Sequence, residues 1–182
     1  MSSKINIAPI FSGHLATLKN HTTGKTSYYD MFVFFVIPII FGSLSLLCDI
    51  KLSSQASSIL ITALSIFSGL LINVLVLIYS VYQNIPSIDI PEDQNQIEMV
   101  KLEKRILQET FSNISFANLI AIIIVIIVSI MESINIGYQE IISSFIIVAL
   151  IHFTLTILMV LKRIHILIGH KMNQTPQHNP AN

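Results

Sequence analysis

The stretch TFSNISFANLIAIIIVIIVSIM, Thr110–Met131, lies between Glu109 and Glu132 and contains no charged residue. Its 22 residues, wound as an α-helix, extend about 33 Å, enough to cross the ~30 Å hydrocarbon core of a bilayer. Ile and Val dominate the centre, AIIIVIIV at Ala121–Val128, and in water such a run would suggest a buried strand. A strand of a transmembrane barrel alternates apolar and polar residues over about 10 positions. This run is apolar on every face, so it reads as a membrane-spanning helix.

A central Asp, Lys or Arg costs an inserted helix roughly 2.5–3.5 kcal/mol. Other charge-free intervals therefore mark other spans. Met31–Cys48 lies between Asp30 and Asp49 and has 18 residues. The apolar part of the charge-free interval Leu52–Ile88 runs from Ser57 to Tyr82. Ile141–Leu161 lies between Glu140 and Lys162. Tyr28, Tyr29, Tyr79, Tyr82 and Tyr138 sit near the ends of these intervals, where an amphipathic ring prefers the interface.

The whole chain agrees with this reading. Of its 182 residues 53% are hydrophobic and 11% charged, against about 25% charged in soluble domains. A typical soluble enzyme and a disordered chain are excluded. The formal net charge is zero, so no global basic field recruits nucleic acid. Cys48 is the only cysteine, which excludes an internal disulfide and a CxxC pair. Gly24–Thr26 read GKT, but Lys19 stands where a P-loop needs its first glycine. No catalytic triad and no metal-ligand spacing is visible, so a non-enzyme without cofactors is expected.

The expected fold is all-α and polytopic. Residues 1–30 form an N-terminal segment, 31–161 a four-helix transmembrane domain, and 162–182 a basic and polar tail. The spans fall at about 31–48, 57–82, 111–131 and 141–161, with a loop at 83–110. Orientation follows from Lys and Arg. Lys4, Lys19, Lys25, Lys101, Lys104, Arg105, Lys162, Arg163 and Lys171 fall on one side, and Lys51 alone on the other. A multi-pass inner-membrane protein with both termini cytoplasmic is expected.

Three extramembrane segments carry further expectations. Pro91, Glu92 and Asp93 look like a helix start, and the helix should run unbroken into the third span. Its face Ile97, Val100, Leu107, Phe111 and Ile114 is either packed within the chain or a seam for a cytoplasmic partner bound through 92–111. Pro9 is followed by Phe11, Leu15 and Leu18 at helical spacing, which with Ile7 suggests a short interfacial helix that Gly13 weakens. The ending MNQTPQHNPAN (Met172–Asn182) is expected to lack structure.

Within the spans the most informative pattern is a stripe. Ser58, Thr62, Ser65, Gly69 and Asn73 recur at helical spacing on the second span, within roughly a 100° sector. Such a face marks either close helix packing or the lining of a pore. Asn118, His152 and Thr156 are weaker polar candidates in spans three and four. An intramembrane His is either a proton-sensitive group or a neutral ring bonded to a neighbouring helix. Pro38 and Gly42 interrupt the first span, and a proline there is tolerated where a neighbour satisfies the freed carbonyl.

The segments SYYDMFVFFVIPIIFG, ILITALSIFSGLLINVLVLIY and RILQETFSNISFANLIAI together resemble a group of small four-span bacterial membrane proteins, some found beside anti-phage defence genes. The resemblance spans roughly Ser27–Ile134 and includes Asp30, Asn73, Asn113 and Asn118. It implies a membrane-disrupting effector or a membrane partner of another defence component. The residues alone suggest a homo-oligomer in the lipid bilayer with channel-like permeability. The alternative is a non-enzymatic anchor or sensor subunit for a cytoplasmic partner.

Overall fold

The structure, a computed structural model, describes residues 6–18, 28–85, 94–134 and 138–174. A short helix α1 covers Ala8–Ala16. Helix α2 is built of an α-turn at Tyr28–Met31, a π segment at Phe32–Val36 and an α segment at Ile37–Leu47. Helices α3 at Ser54–Gln83, α4 at Gln94–Ser133 and α5 at Gln139–Gln174 follow. No strand occurs among the described residues. Four of the helices are long and apolar enough to cross a membrane. The chain is thus an all-α, multi-pass membrane protein.

Helix α4 has 40 residues, about 60 Å of continuous helix. It carries the third span and the expected extension in one rod. The Pro91–Asp93 helix start lies outside the described residues. Helix α5 does not stop at Leu161 but continues through Lys162 and Arg163 to Gln174, so Met172–Gln174 are helical rather than unstructured. Nothing ends the helix there: no Gly or Pro falls between Leu161 and Ile168, and Ile164 and Leu167 still pack on the core.

Position in the bundle follows a repeat of seven. On α3 the buried positions are Ser57, Leu64, Leu71 and Ile78. On α4 they are Leu107, Ile114, Ala121 and Val128, with Ala117, Ile124 and Met131 beside them. On α5 they are Ile146, Phe153 and Val160. Heptad spacing brings helices together at shallow, left-handed crossings. Helix α4 takes the centre, with α3 on one flank, α5 on another and α1 against its first half; α2 packs on α5. The remaining faces stay apolar and exposed, including Ile59, Ile66 and Val76 on α3 and Ile126 on α4. A helix apolar all round is one surrounded by protein and lipid.

The two short turns at one end are tied together. The Ser53 hydroxyl caps α3 by accepting from the Ala56 N–H at 3.2 Å. Lys51 pairs with Glu140 at 2.9 Å, and its hydrogen bond and charge contact with that carboxylate raise the Lys51 pKa. Ser54 donates to Glu132 at 2.9 Å, and the Leu52 N–H to Ser143 Oγ at 3.0 Å.

Candidate functional site

The second-span stripe lies on α3, and every member faces outward. Ser58, Thr62, Ser65, Gly69 and Asn73 are all exposed. A Cβ added to Gly69 would meet nothing within 4 Å. Thr62 Oγ1 returns its proton to the Ser58 carbonyl at 2.9 Å. The Asn73 carboxamide meets no partner among the described residues. Helix α3 packs on α4 through its heptad face, and no other described residue covers the stripe. Toward α4, α3 turns Ser54, which donates to Glu132, Tyr82, whose hydroxyl accepts from Gln108, and within the span Ser68, whose hydroxyl donates to Asn118 Oδ1. Asn118 thereby joins two spans rather than facing an open path.

Inside the bundle, polar groups gather around the docked α1. His14 is 1% exposed and Asn113 on α4 is 0% exposed. His14 Nδ1 lies 2.8 Å from Asn113 Oδ1. The Thr17 hydroxyl sits 2.9 Å from the same oxygen and 2.7 Å from the His14 carbonyl. An amide oxygen can only accept, so the proton of His14 resides on Nδ1 and Nε2 carries a lone pair. The ring stacks on Phe116 with centroids 3.9 Å apart and planes 10° from parallel. Burial drives the His14 pKa from 6.5 to about 4; His152 and Arg163 push the same way, and the bond to Asn113 opposes them.

Arg163 completes this docking. Its Nη2 donates to the Thr17 carbonyl at 3.0 Å, a cation on the last free carbonyls of α1. Nη1 lies 3.2 Å from Glu109 Oε2, while Arg105 Nε holds Glu109 Oε1 at 3.2 Å. The outer face of α1 is apolar: Ile7, Phe11 and Leu15 are exposed. An interfacial helix turns its apolar face to lipid; the side of α1 packed on the protein carries His14, with Thr17 and Leu18 just beyond its end. Gly13 belongs to the same packing, because a Cβ there would lie 3.2 Å from Ser112 Oγ.

His152 occupies the next layer. Pro38 has no N–H to offer the Phe34 carbonyl four residues earlier. The turn before it opens to π spacing, with the Ile37 N–H bonded to the Phe32 carbonyl. His152 Nδ1 supplies the missing donor to the Phe34 carbonyl at 2.9 Å. Its ring centroid lies 5.6 Å from that of His14. Thr156 is buried and donates to the His152 carbonyl at 2.8 Å, which places it as packing of α5. One helical turn beyond Pro38, a Cβ on Gly42 would overlap Val148 Cγ2, and Ser144 Oγ donates to the Gly42 carbonyl. Gly42 is what lets α2 lie against α5 so closely.

Of the sequence candidates, His152 and Asn118 are brought into inter-helix contacts, and the stripe on α3 is left together on one outer face. Ile97, Val100, Leu107 and Ile114 turn at least partly inward, whereas Phe111 is exposed. Sequence reasoning missed His14, Thr17 and Asn113 as a unit; the available signal was the polarity of His14 and Thr17 at i and i+3, beside Leu18 at i+4. No group of three metal-ligating side chains occurs among the described residues. No family model, curated protein or solved structure matches the chain.

Proposed function

We propose that the protein is a non-enzymatic membrane effector that works as a homo-oligomer with channel-like permeability. One observation carries this reading: Ser58, Thr62, Ser65, Gly69 and Asn73 occupy a face of α3 that the described residues leave bare. A carboxamide in hydrocarbon has no water to bond, and an unsatisfied polar group there costs several kcal/mol. A second copy offering the same face satisfies it, and Gly69 permits the close approach. Subunits arranged around this face line a polar path with Ser65 and Asn73. The Lys and Arg distribution supports an inner-membrane placement with both termini cytoplasmic.

The test is efflux of ions and dye from liposomes at several protein-to-lipid ratios, with insertion checked by protease protection of the tail. Efflux should rise steeply with protein density, and Asn73→Leu should abolish it without loss of insertion. Leakage unchanged in Asn73→Leu would refute the assignment.

A further inference from the structure

We propose that the groove between α1, α2, α4 and α5 is a binding site for a phospholipid whose head group carries a phosphate and a primary amine. The groove has a volume of about 620 Å³, within the ~300–1,000 Å³ of ordinary small-molecule sites. One part of its wall is apolar, formed by Leu102 and Ile106 on α4 and Leu158 and Ile166 on α5. The other part is ionisable: Asp30, Glu109, Lys162 and Arg163. Leu158, Lys162 and Ile166 stand at i, i+4 and i+8 and therefore form one stripe of α5. An apolar surface continuous with a cation is the shape of an amphiphile's receptor.

The depth of the site is fixed independently by the sequence. Asp30 directly precedes the charge-free interval of the first span, Glu109 directly precedes that of the third, and Lys162 directly follows that of the fourth. Three separate helices thus bring their first charge to one level, the boundary between hydrocarbon and head groups. A ligand here has its polar part at that level and its chain along the apolar wall.

The charges decide which head group. Arg163 is engaged by Glu109 and the Thr17 carbonyl. Lys162 is exposed and forms no ion pair among the described residues. Its ammonium suits a phosphodiester oxygen. Asp30 adds a carboxylate to the same groove, which repels a head group that is only anionic and accepts N–H bonds from a primary ammonium. A quaternary ammonium has no N–H to donate.

The experiment uses vesicles of equal parts phosphatidylethanolamine, phosphatidylcholine and phosphatidylglycerol. Full-length protein is reconstituted, extracted in mild detergent, and its retained lipids are counted by native mass spectrometry. Phosphatidylethanolamine should be retained in roughly tenfold excess, the worth of one charged hydrogen bond. Asp30→Asn should bring phosphatidylethanolamine and phosphatidylcholine near parity, whereas Lys162→Ala should lower retention of all three lipids. Leu158→Trp, at an exposed position, should fill the groove and lower retention of the preferred lipid. Equal retention by the unaltered protein, a preference for phosphatidylglycerol, or a preference that survives both Asp30→Asn and Leu158→Trp would overturn the proposal.

Discussion

Lowering the pH from 7 to 5 should loosen the docking of α1. His14 goes from an ordinary imidazole in water, pKa 6.5, to a buried one at about 4. Its pKa is lower docked than undocked, so the undocked helix binds the extra proton. The stabilisation is therefore complete above about 6.5, falls as pH drops, and levels off below about 4. The full gap corresponds to roughly 3 kcal/mol. Between pH 7 and 5 the loss is roughly 2 kcal/mol, on the order of twentyfold in the docking equilibrium. Of the groups facing the ring, His152 and Arg163 on α5 push the same way as burial, and the bond to Asn113 on α4 opposes it; the carboxylates Glu109 on α4 and Asp30 on α2 line the adjoining groove. Hydrogen exchange of the Ala8–Ala16 amides, corrected for intrinsic pH dependence, reads this directly. His14→Gln should remove the pH dependence. A flat profile in the unaltered protein, or the same slope in His14→Gln, would refute the assignment of the latch to this ring.

Two further perturbations test the α2–α5 seam. His152→Leu strips the donor from the Phe34 carbonyl and should cost about 1–3 kcal/mol in detergent unfolding. In a Pro38→Ala background, where residue 38 regains an N–H, that cost should shrink by about 1 kcal/mol, and strict additivity would argue against the pairing. Gly42→Ala should cost about 1–3 kcal/mol through overlap with Val148, and Val148→Ala should recover part of it; no recovery would show that another contact sets the spacing.

How much was legible depends on which physical signal the sequence carries. The four spans were readable because charge is scarce and its cost in hydrocarbon is large, so Asp30, Glu109, Glu132 and Lys162 punctuate the chain. The need for a donor near Pro38 was readable for the same reason; its identity as His152 was not, because the two residues are far apart in sequence. The buried faces were hidden. In water the apolar face is the packed one, but here Ile59, Ile66 and Val76 are as apolar as Leu64 and Leu71 and face outward. Spacing alone does not separate them either, since Ile59 and Ile66 are seven apart just as Leu64 and Leu71 are. Helix α1 misleads in another way, since its polar His14 is buried together with Thr17 and Leu18 just beyond its end, while Phe11 and Leu15 stay exposed.

This inversion gives polar residues in the spans a diagnostic value that apolar ones lack. On α4, Thr110, Ser112, Ser115, Ser129 and Ser133 each return a hydroxyl proton to the carbonyl four residues back. On α5, Thr154 and Thr156 do the same. Asn113 and His152 have no such local option, and both are spent on neighbouring helices. Asn118 is spent on α3. Asn73 is the exception: its carboxamide meets no partner among the described residues, unlike Asn84, which donates back to the Ser80 carbonyl at 3.0 Å, and it stands on the face of α3 that α4 does not cover. Each of these other intramembrane amides and imidazoles, Asn113, Asn118 and His152, is a contact between helices, and by analogy this supports the proposal that a second copy of α3 lies beside Asn73.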